Sequence, residues 1–270
     1  MITFRTATLV ELETVLDWAA AEGWNPGIDD PVAFFAADPD GFFVACDGNQ
    51  PVAAISVVNH TECFAFLGLY IVLPSHRGKG IGYQLWQHAL RHAGDRTVGL
   101  DGVPDQQENY RASGFTHAGA TTRYTGTIAA KLDAKTRMAT SDDVPDLIAQ
   151  EAAASGVGKT GYLEGWFEQT ETRKTFVTEG GFCTVRTCRS GGKIGPLKAT
   201  DVVVAERLIR HAATFVTGEI SIDVPDASKT LSGLCEALGL IAGFHTARMY
   251  RGPFECPSVD GFAVATLELG

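Results

Sequence analysis

A glycine-rich turn with two basic side chains is the segment of this sequence best suited to hold a charged ligand. It spans Arg77–Gly82 and follows an apolar run that ends at Pro74. Its three glycines have no Cβ, so backbone N–H groups can close around a phosphate at the positive end of the helix that follows. Arg77 and Lys79 add positive charge at the same point. The pattern predicts an anion-binding turn that takes a phosphate group.

Two common nucleotide-binding patterns do not fit this turn. The GxxxxGK[ST] spacing of a Walker loop is absent. A dinucleotide-binding fingerprint fits poorly, because Arg77 and Lys79 occupy the turn and the strand before it is not the first of the domain. The turn is therefore neither a Walker loop nor a good dinucleotide-binding fingerprint.

The turn lies between a predicted strand and a predicted amphipathic helix. The strand, Cys63–Leu73, is rich in aromatic and branched residues. Apolar residues then recur at helical spacing from Ile81 to Leu90, before a C-terminal cap at Gly94. The other elements predicted around them are strands at Phe42–Cys46, Val52–Val58, Thr97–Leu100 and Ala118–Thr125, and a short helix at Asp105–Ser113. This order indicates a mixed α/β domain.

The sequence repeats once, and the repeat divides the chain into two domains. Arg5-Thr6-Ala7-Thr8 returns as Arg137-Met138-Ala139-Thr140, and an acidic residue three positions after each Thr can complete a capping box. Leu100–Asp105 is echoed by Ile222–Asp226. We therefore predict domains at 1–128 and 129–270, each of about 130 residues, with the boundary near Gly126–Lys135.

The composition excludes several classes of protein. The 270 residues are 45% hydrophobic and 20% charged, a balance typical of globular proteins and not of disordered or fibrous ones. The formal net charge of -10 makes nucleic acid and anionic membrane poor partners, since both are negatively charged. No apolar run approaches the roughly 18–20 residues that span a bilayer, and no basic-then-apolar leader precedes the first helix. We expect a cytoplasmic protein.

The cysteines favour the same location. They are spread thinly, and none forms the CxxC pair of a zinc or redox site, so no metal site is predicted. Cys46 and Cys63 lie in apolar runs, where a thiol is most simply a small buried hydrophobic group. We expect the same structural role for the others, which are Cys183, Cys188, Cys235 and Cys256.

The glycine-rich turn also resembles a known loop. The RxxGxG spacing of Arg77, Gly80 and Gly82, after a strand that ends Val72-Leu73-Pro74, resembles the acyl-CoA pyrophosphate loop of the GCN5-related N-acetyltransferase (GNAT) superfamily. Glu22–Gly27, Gly68–Val72 and Ile194–Leu197 extend the resemblance over essentially the whole chain, to bacterial tandem-GNAT proteins with a degenerate C-terminal domain. It implies an α/β (α+β) fold of two tandem GNAT-like domains, each a mixed, mostly antiparallel sheet flanked by helices.

The resemblance implies acetyl-CoA as co-substrate and assigns residues to it. The pantetheine arm would lie along Ile71, Val72 and Leu73, and the pyrophosphate would be held by Arg77, Gly78, Lys79, Gly80, Ile81 and Gly82. Tyr110, four residues before Gly114-Phe115, matches a tyrosine that in the family protonates the departing thiolate, a role that suits a pKa of about 10. Many members carry an Asn seven residues before this tyrosine, where this chain has Val103.

The acceptor side needs a group that takes a proton, because an amine must be neutral to attack a thioester. Glu62 and Asp101, at the start and the end of predicted strands, are candidates for this base. His60 is a further candidate, although a lone turn histidine is more often solvated. The loop Trp24–Asp40 follows the first helix, where the family usually places acceptor-binding elements, and its aromatic and acidic residues suit an amine. The predicted acceptor-binding residues are Trp24, Asn25 and Tyr70.

The second repeat lacks the residues that carry this chemistry in the first. Its matching region, Ser190–Pro196, has no RxxGxG spacing, and no tyrosine occurs at Leu234–Glu236, the counterpart of Tyr110. Pro196 also removes one backbone donor. We predict that residues 129–270 form a degenerate domain with a structural or acceptor-binding role.

The function predicted from these features is N-acetyl transfer from acetyl-CoA to the amine of a small molecule, by direct attack in a ternary complex. The protein would act as a monomer or homodimer, without nucleic acid or membrane partners. One alternative is a non-catalytic acyl-CoA-binding sensor, which Tyr110 argues against. Another is an aminoacyl-tRNA-dependent transferase, which should carry a basic groove, whereas both halves of this chain are acidic.

Overall fold

The two halves of the chain fold into the same succession of helices and strands. The computed structural model describes residues 1–255 and 257–270, so that Cys256 lies outside the described residues. The first half contains β1 (Ile2–Thr6), α1 (Leu9–Ala21), α2 (Asp30–Ala37), β2 (Phe42–Asp47), β3 (Gln50–Asn59), β4 (Phe64–Val72), α3 (Ile81–Ala93), β5 (Thr97–Gly102), α4 (Gln107–Ala112) and β6 (Thr116–Gly126). The second half contains β7 (Arg137–Met138), α5 (Val144–Ser155), α6 (Thr160–Phe167), β8 (Arg173–Thr178), β9 (Gly181–Thr187), β10 (Gly192–Ala199), α7 (Val202–Ala212), β11 (Ile220–Pro225), α8 (Lys229–Ala237) and β12 (Ile241–Arg251), followed by β13 (Phe262–Ala263).

The described strands form one continuous sheet that joins the halves. Its order is β1-β2-β3-β4-β5-β12-β6-β11-β10-β9-β8-β7, and β13 pairs with β10. Only the pairs β4–β5 and β10–β11 are parallel among the described strands; the others are antiparallel. The predicted fold class, with mixed and mostly antiparallel sheets flanked by helices in a tandem arrangement, is confirmed.

The last strand of each half completes the sheet of the other half. β12 pairs antiparallel with β5, β6 pairs antiparallel with β11, and β6 and β12 pair with each other in the centre. Two equivalent ion pairs stabilise this strand exchange, in which β12 pairs with β5 and β6 pairs with β11. Arg248 of β12 donates two hydrogen bonds to Asp101 of β5, at 2.9 and 2.8 Å, and Arg123 of β6 donates two to Asp223 of β11, at 2.7 and 2.8 Å.

The repeated Arg-x-x-Thr segments build identical helix entries. Thr8 and Glu11 form a capping box at the start of α1, and Thr140 and Asp143 form one at the start of the second repeat's first helical segment. Arg5 adds two hydrogen bonds to Glu11, at 2.8 and 2.6 Å. The capping predicted from sequence is confirmed in both halves.

The segment predicted as a loop between Trp24 and Asp40 contains the helix α2. Pro31 lies in the first turn of this helix, where proline is well tolerated. Asp30 and Phe34 are buried, and α2 packs against α6 of the second half. The acidic and aromatic residues of this segment therefore contribute largely to the contact between the halves.

The cysteines differ in burial. Cys46, Cys183, Cys188 and Cys235 are buried free thiols, as expected, whereas Cys63 lies exposed in the turn before β4. The prediction for Cys63 was wrong because the strand begins one residue later than the apolar run indicated. Among the described helices, none is both long enough and apolar enough to cross a membrane.

Candidate active site

A notch opens where β4 and β5 separate. The two strands pair in parallel from Phe64–Thr97 to Leu67–Leu100 and then diverge. The other edge of β4 stays paired with β3 as far as Val72. Leu69 has φ +48° at an irregularity in the β3–β4 register, and such a bulge increases the local bend and twist of a strand. The backbone of β4 beyond Leu67 therefore presents a free edge to the notch.

A small cavity of about 60 Å³ lies at this notch, between the two halves of the chain. It is lined by Trp24, Leu67, Gly68, Leu69, Tyr70, Leu100, Asp101, Val103, Gln106, Tyr110, Arg123, Phe244, Thr246, Leu267 and Glu268. Four of these residues, Phe244, Thr246, Leu267 and Glu268, belong to β12 or to the C-terminal segment after it, in addition to Arg123 of the exchanged strand β6. The second repeat therefore supplies one wall of the cavity.

A larger open groove of about 850 Å³ runs between α3 and α4. It is lined by Tyr70, Tyr83, Trp86, Gln87, Leu90, Arg91, Gln106, Asn109, Tyr110, Ala112, Ser113 and Arg251. The groove and the notch cavity share Tyr70, Gln106 and Tyr110. A long ligand in the groove can therefore present its end to a small ligand in the notch cavity.

Tyr110 lies at this junction with its ring held from both sides. The side chain is only 7% exposed, and its ring stacks on that of Trp86 at 5.5 Å between centroids. Gly102 leaves room for it, since a Cβ there would lie 2.9 Å from the tyrosine ring. Burial, with a smaller contribution from Tyr70, raises the pKa of Tyr110 well above its ordinary value. The phenol is thus held in its protonated form at neutral pH, although burial makes it a weaker acid than a free phenol.

The glycine-rich turn leads into α3 as the sequence predicted. Gly78 and Gly80 have φ values of +73° and +75°, and α3 begins at Ile81 without a side-chain cap. Gly82 allows α3 to pack closely on β4, because a Cβ at that position would lie 2.6 Å from the Tyr70 hydroxyl. The turn therefore combines an uncapped helix N-terminus with close packing of α3 on β4, which suits an anion.

The two basic side chains of the turn behave differently. Arg77 donates from Nε to the Val72 carbonyl at 2.8 Å, and its guanidinium pairs with Glu22 at 2.5 Å. It therefore fastens the turn to β4 and to the end of α1. Lys79 is exposed.

The residues at the end of β4, before the turn, differ in burial. Ile71 is buried, whereas Val72 and Leu73 are half-buried next to the free edge of β4.

The two carboxylates predicted as bases lie in different places. Glu62 is exposed in the turn before β4, beside a separate cavity that also includes Cys63 and Arg96. The structure does not bring Glu62 together with Tyr110. Asp101 lines the notch cavity, but both its oxygens accept hydrogen bonds from Arg248. Burial raises the pKa of Asp101, and Arg248 opposes this rise.

The predicted acceptor residues are brought together only in part. Trp24 and Tyr70 line the notch cavity, and the Trp24 carbonyl accepts hydrogen bonds from Arg123 at 3.0 Å and Lys193 at 2.7 Å. Asn25 is not among the lining residues. Its side chain instead donates to the Ser190 carbonyl at 2.7 Å and accepts from the Ser190 N–H at 3.3 Å. Asn25 thus connects the first half to a turn of the second.

Several residues of the site were not found by sequence reasoning. Phe244, Arg123 and Glu268 come from exchanged or C-terminal segments, which no motif connects with the notch. Gln106 carries an amide at the junction of both cavities and accepts a hydrogen bond from Asn109 at 2.9 Å. Its position one turn after Val103 is the only signal that could have indicated it.

The corresponding notch of the second half is filled by the chain itself. β10 and β11 pair in parallel from Gly192 to Ile194 and then separate. β13 enters this gap, pairing with Leu197 and Lys198 of β10, and the N–H of Val264 donates to the Asp223 carbonyl of β11 at 3.1 Å. The protein's own backbone therefore occupies the space that stays open in the first half.

The sequence matches known families over both halves. Residues 9–117 match the model described as "Acetyltransferase (GNAT) family", and residues 148–261 match the one described as "Acetyltransferase (GNAT) domain". The chain is 34% identical to the holothin acyltransferase of Pseudoalteromonas sp. (strain SANK 73390), over 99% of this chain and 94% of that protein.

Solved structures share the fold. A Pyrococcus horikoshii protein described as an acetyltransferase superposes with a TM-score of 0.84 at 21% identity, covering 100% of this chain and 96% of that one. A tandem GNAT protein from the clavulanic acid biosynthesis pathway gives a TM-score of 0.64 at 17% identity, covering 94% and 100%. Because the similarity to the holothin acyltransferase extends over the full chain, and both halves match GNAT models, this chain belongs to the GNAT acyltransferases and carries two GNAT domains in tandem.

Proposed function

We propose that this acyltransferase moves an acetyl group from acetyl-CoA to the amine of a small molecule, by direct attack in a ternary complex. The observation that carries the proposal is the junction at Tyr70, Gln106 and Tyr110, where the large open groove meets the small notch cavity. The groove suits the extended coenzyme, and the cavity suits an acceptor amine. Direct transfer requires the thioester and the amine to meet at such a junction.

The coenzyme would lie along the groove between α3 and α4. The uncapped start of α3 and Gly78–Gly82 would hold its pyrophosphate, with Lys79 beside it and Arg77 fastening the turn. The free edge of β4 at Ile71–Leu73 would pair with the pantetheine arm. We propose that Gln106 supplies the side-chain amide that Val103 lacks, because it borders both cavities.

The chemical step needs one proton to leave and another to arrive. The amine nitrogen attacks the thioester carbonyl carbon and forms the amide bond, while the bond from that carbon to sulfur breaks. Tyr110, which is buried and protonated, would donate its proton to the departing thiolate. The proton released from the amine must go to a base or a water near the notch cavity.

The acceptor is proposed to be small. The notch cavity is small, about 60 Å³, compared with about 850 Å³ for the groove, and Trp24 and Phe244 give it aromatic walls. The relative that is 34% identical over nearly the whole chain is named for holothin. We therefore propose holothin as the first acceptor to test, followed by a panel of small amines.

The second domain is proposed to bind no coenzyme. β13 fills its notch and Cys235 is buried in α8, the helix that corresponds to the one carrying Tyr110. We retain 1–128 and 129–270 as the proposed domains, with the second as one wall of the acceptor site. The spread of the cysteines and the lack of CxxC pairs support the cytoplasm as the proposed location.

The test is acetyl transfer by the purified full-length protein. Acetyl-CoA is mixed with holothin or one amine of the panel, and the released thiol and the mass of the product are measured together. We expect equal amounts of free CoA and acetylated amine. Thiol release without an acetylated amine, or coenzyme binding without turnover of any amine, would refute the proposal; the second result is that expected for a sensor.

A further inference from the structure

The C-terminal segment runs from the filled notch of the second domain to the open notch of the first. After β13, the carbonyl of Ala265 accepts a hydrogen bond from Arg186 at 3.1 Å. Closer to the end, the carbonyl of Leu269 accepts one from His60 Nε2 at 2.8 Å, and that of Gly270 accepts one from Lys159. The segment is therefore fixed along its length by contacts to both domains.

Leu267 and Glu268 of this segment line the notch cavity, and Glu268 is the one with a titratable side chain. Its backbone passes so close to β4 that a Cβ on Gly68 would lie 2.1 Å from the Glu268 carbonyl oxygen. Glu268 is only 4% exposed and lines the notch cavity together with Tyr110. Glycine at position 68 is thus what allows the segment to lie against the notch.

The Glu268 carboxylate has unused hydrogen-bonding capacity. Across residues 1–255 and 257–270, no group donates a hydrogen bond to it, and its oxygens are not among the fully buried side-chain atoms that lack a partner, so they keep some accessible surface. The charged and titratable groups around it are Arg123 of β6, Arg186 of β9 and Lys193 of β10, with Tyr70, Asp101 and Tyr110 on the same cavity.

The nearby cations are already engaged elsewhere. Arg123 donates to Asp223 and to the Trp24 carbonyl, and Lys193 donates to the same carbonyl. Arg186 pairs with Asp30 at 3.3 Å and donates to backbone carbonyls. These cations thus place positive charge near Glu268, while its oxygens can accept a hydrogen bond from a ligand.

The other candidate bases are occupied or lie elsewhere. Both oxygens of Asp101 accept hydrogen bonds from Arg248. Glu62 lines a different cavity. His60 is half-buried; desolvation and the charge of Lys159 lower its pKa to about 3, and its Nε2 is hydrogen-bonded to the Leu269 carbonyl.

We propose that Glu268 is the proton acceptor for the acceptor amine, a role that rests on the proposed acetyl transfer. One carboxylate oxygen would accept a hydrogen bond from the amine N–H. This oxygen takes one proton from the ammonium form of the amine and leaves the neutral amine to attack. As the nitrogen bonds to the thioester carbon, the carbon–sulfur bond breaks, the thiolate takes the Tyr110 proton, and the second proton of the nitrogen passes to the tyrosinate. The second domain would thereby contribute a catalytic residue, which explains why a domain with a filled notch is retained.

The test compares Glu268→Gln with the parent full-length protein over a range of pH, using the amine that the parent acetylates. We expect kcat/KM for the amine to fall about 10²-fold at pH 7, the usual contribution of a general base. The loss should shrink as the pH approaches the pKa of the amine, because a neutral amine depends less on a protein base. Acetyl-CoA affinity, measured by calorimetry, should not change. Glu236→Gln, at an exposed position of α8, serves as the matched control and should leave all three measurements unchanged.

Two results would overturn this role. One is an unchanged kcat/KM; the other is a loss of the same size at every pH, which indicates that Glu268 only shapes the cavity. If Glu268→Gln does not fold, Glu268→Asp keeps the negative charge and is the variant to measure; it should be slower while keeping the parent's pH profile, and full activity in it would refute the role. A parent protein that acetylates no amine would instead refute the proposed function itself.

Discussion

Arg248→Met should destabilise the protein strongly, because it leaves Asp101 of β5 without its cation. The Asp101 side chain is 0% exposed, and Arg248 is the residue that joins it to β12 through two hydrogen bonds. Removing one member of a buried ion pair typically costs about 3–5 kcal/mol, since the other charge stays buried and unpaired. For a chain of this size, that corresponds to a fall in Tm of roughly 6–20 °C.

The expected loss also has a defined dependence on pH. Burial raises the pKa of Asp101 in the folded protein even against the opposing effect of Arg248, and without Arg248 this pKa rises further. A carboxyl group whose folded pKa is above its unfolded pKa favours the folded state at low pH and loses this contribution as the pH rises. The destabilisation by Arg248→Met should therefore be smaller at pH 5 than at pH 8.

The assay is urea unfolding of the parent and of the variant at both pH values. Arg5→Met is the matched control, since Arg5 also makes two hydrogen bonds to a carboxylate but its side chain is 44% exposed. Exposed pairs contribute about 0.2–1 kcal/mol. A loss for Arg248→Met no larger than that of the control, or one that does not change with pH, would refute the reasoning that the buried pairs lock the strand exchange.

Two further predictions concern the coenzyme turn and the connection between the halves. Gly80→Val should weaken acetyl-CoA binding at least tenfold, about 1.4 kcal/mol in calorimetry, because Gly80 has φ +75° where α3 begins. The control is Gly48→Val, at φ +61° in the β2–β3 turn. It carries similar backbone strain away from the glycine-rich turn and should bind acetyl-CoA normally. Equal affinity in the two variants would show that the turn does not hold the pyrophosphate. A fragment that ends at Gly126 should be poorly soluble, because it loses β12 and with it the fully buried Met249 beside Leu100 and Tyr110, and co-expression of residues 127–270 should restore solubility. A soluble and fully active 1–126 fragment would contradict this account of the second repeat.

The sequence was sufficient to predict the features that depend on local patterns. The capping boxes at Thr8 and Thr140, the turn before α3 and the repeated order of elements all follow from spacings within a few residues. Such features are determined by neighbouring residues, which the sequence gives directly. The spacing of Tyr110 to Gly114-Phe115 is equally local, and its role as proton donor stays a prediction.

The strand exchange could not be predicted, and the reason lies in the repeat itself. Asp101 and Asp223 occupy equivalent positions, as do Arg123 and Arg248, so either arginine could pair with either aspartate. The sequence pattern of these arginines and aspartates is the same whether the last strand pairs within its own half or with the other half. Only the packing of the whole sheet decides between them, and this packing determines which residues of the second half line the first notch.

Glu268, the proton acceptor proposed above, could not be singled out from the sequence for a related reason. It stands in a short C-terminal segment without a motif, and its closest backbone contact, at Gly68, is far from it in sequence. Glu62 and Asp101 were favoured because they stand at strand ends. Strand position does not reveal that Arg248 donates hydrogen bonds to Asp101, or that Glu62 borders another cavity.

The most direct test of the proposed reaction is a single-turnover comparison of Tyr110→Phe with the parent. Each protein is preloaded with acetyl-CoA and mixed with the amine, and thiol release and amide formation are followed together. The phenylalanine ring can still stack on Trp86, so acetyl-CoA affinity should stay the same while the rate of transfer falls roughly 10²-fold with loss of the proton donor. An unchanged rate of transfer in the variant would contradict the account, because the proton for the thiolate would then come from elsewhere.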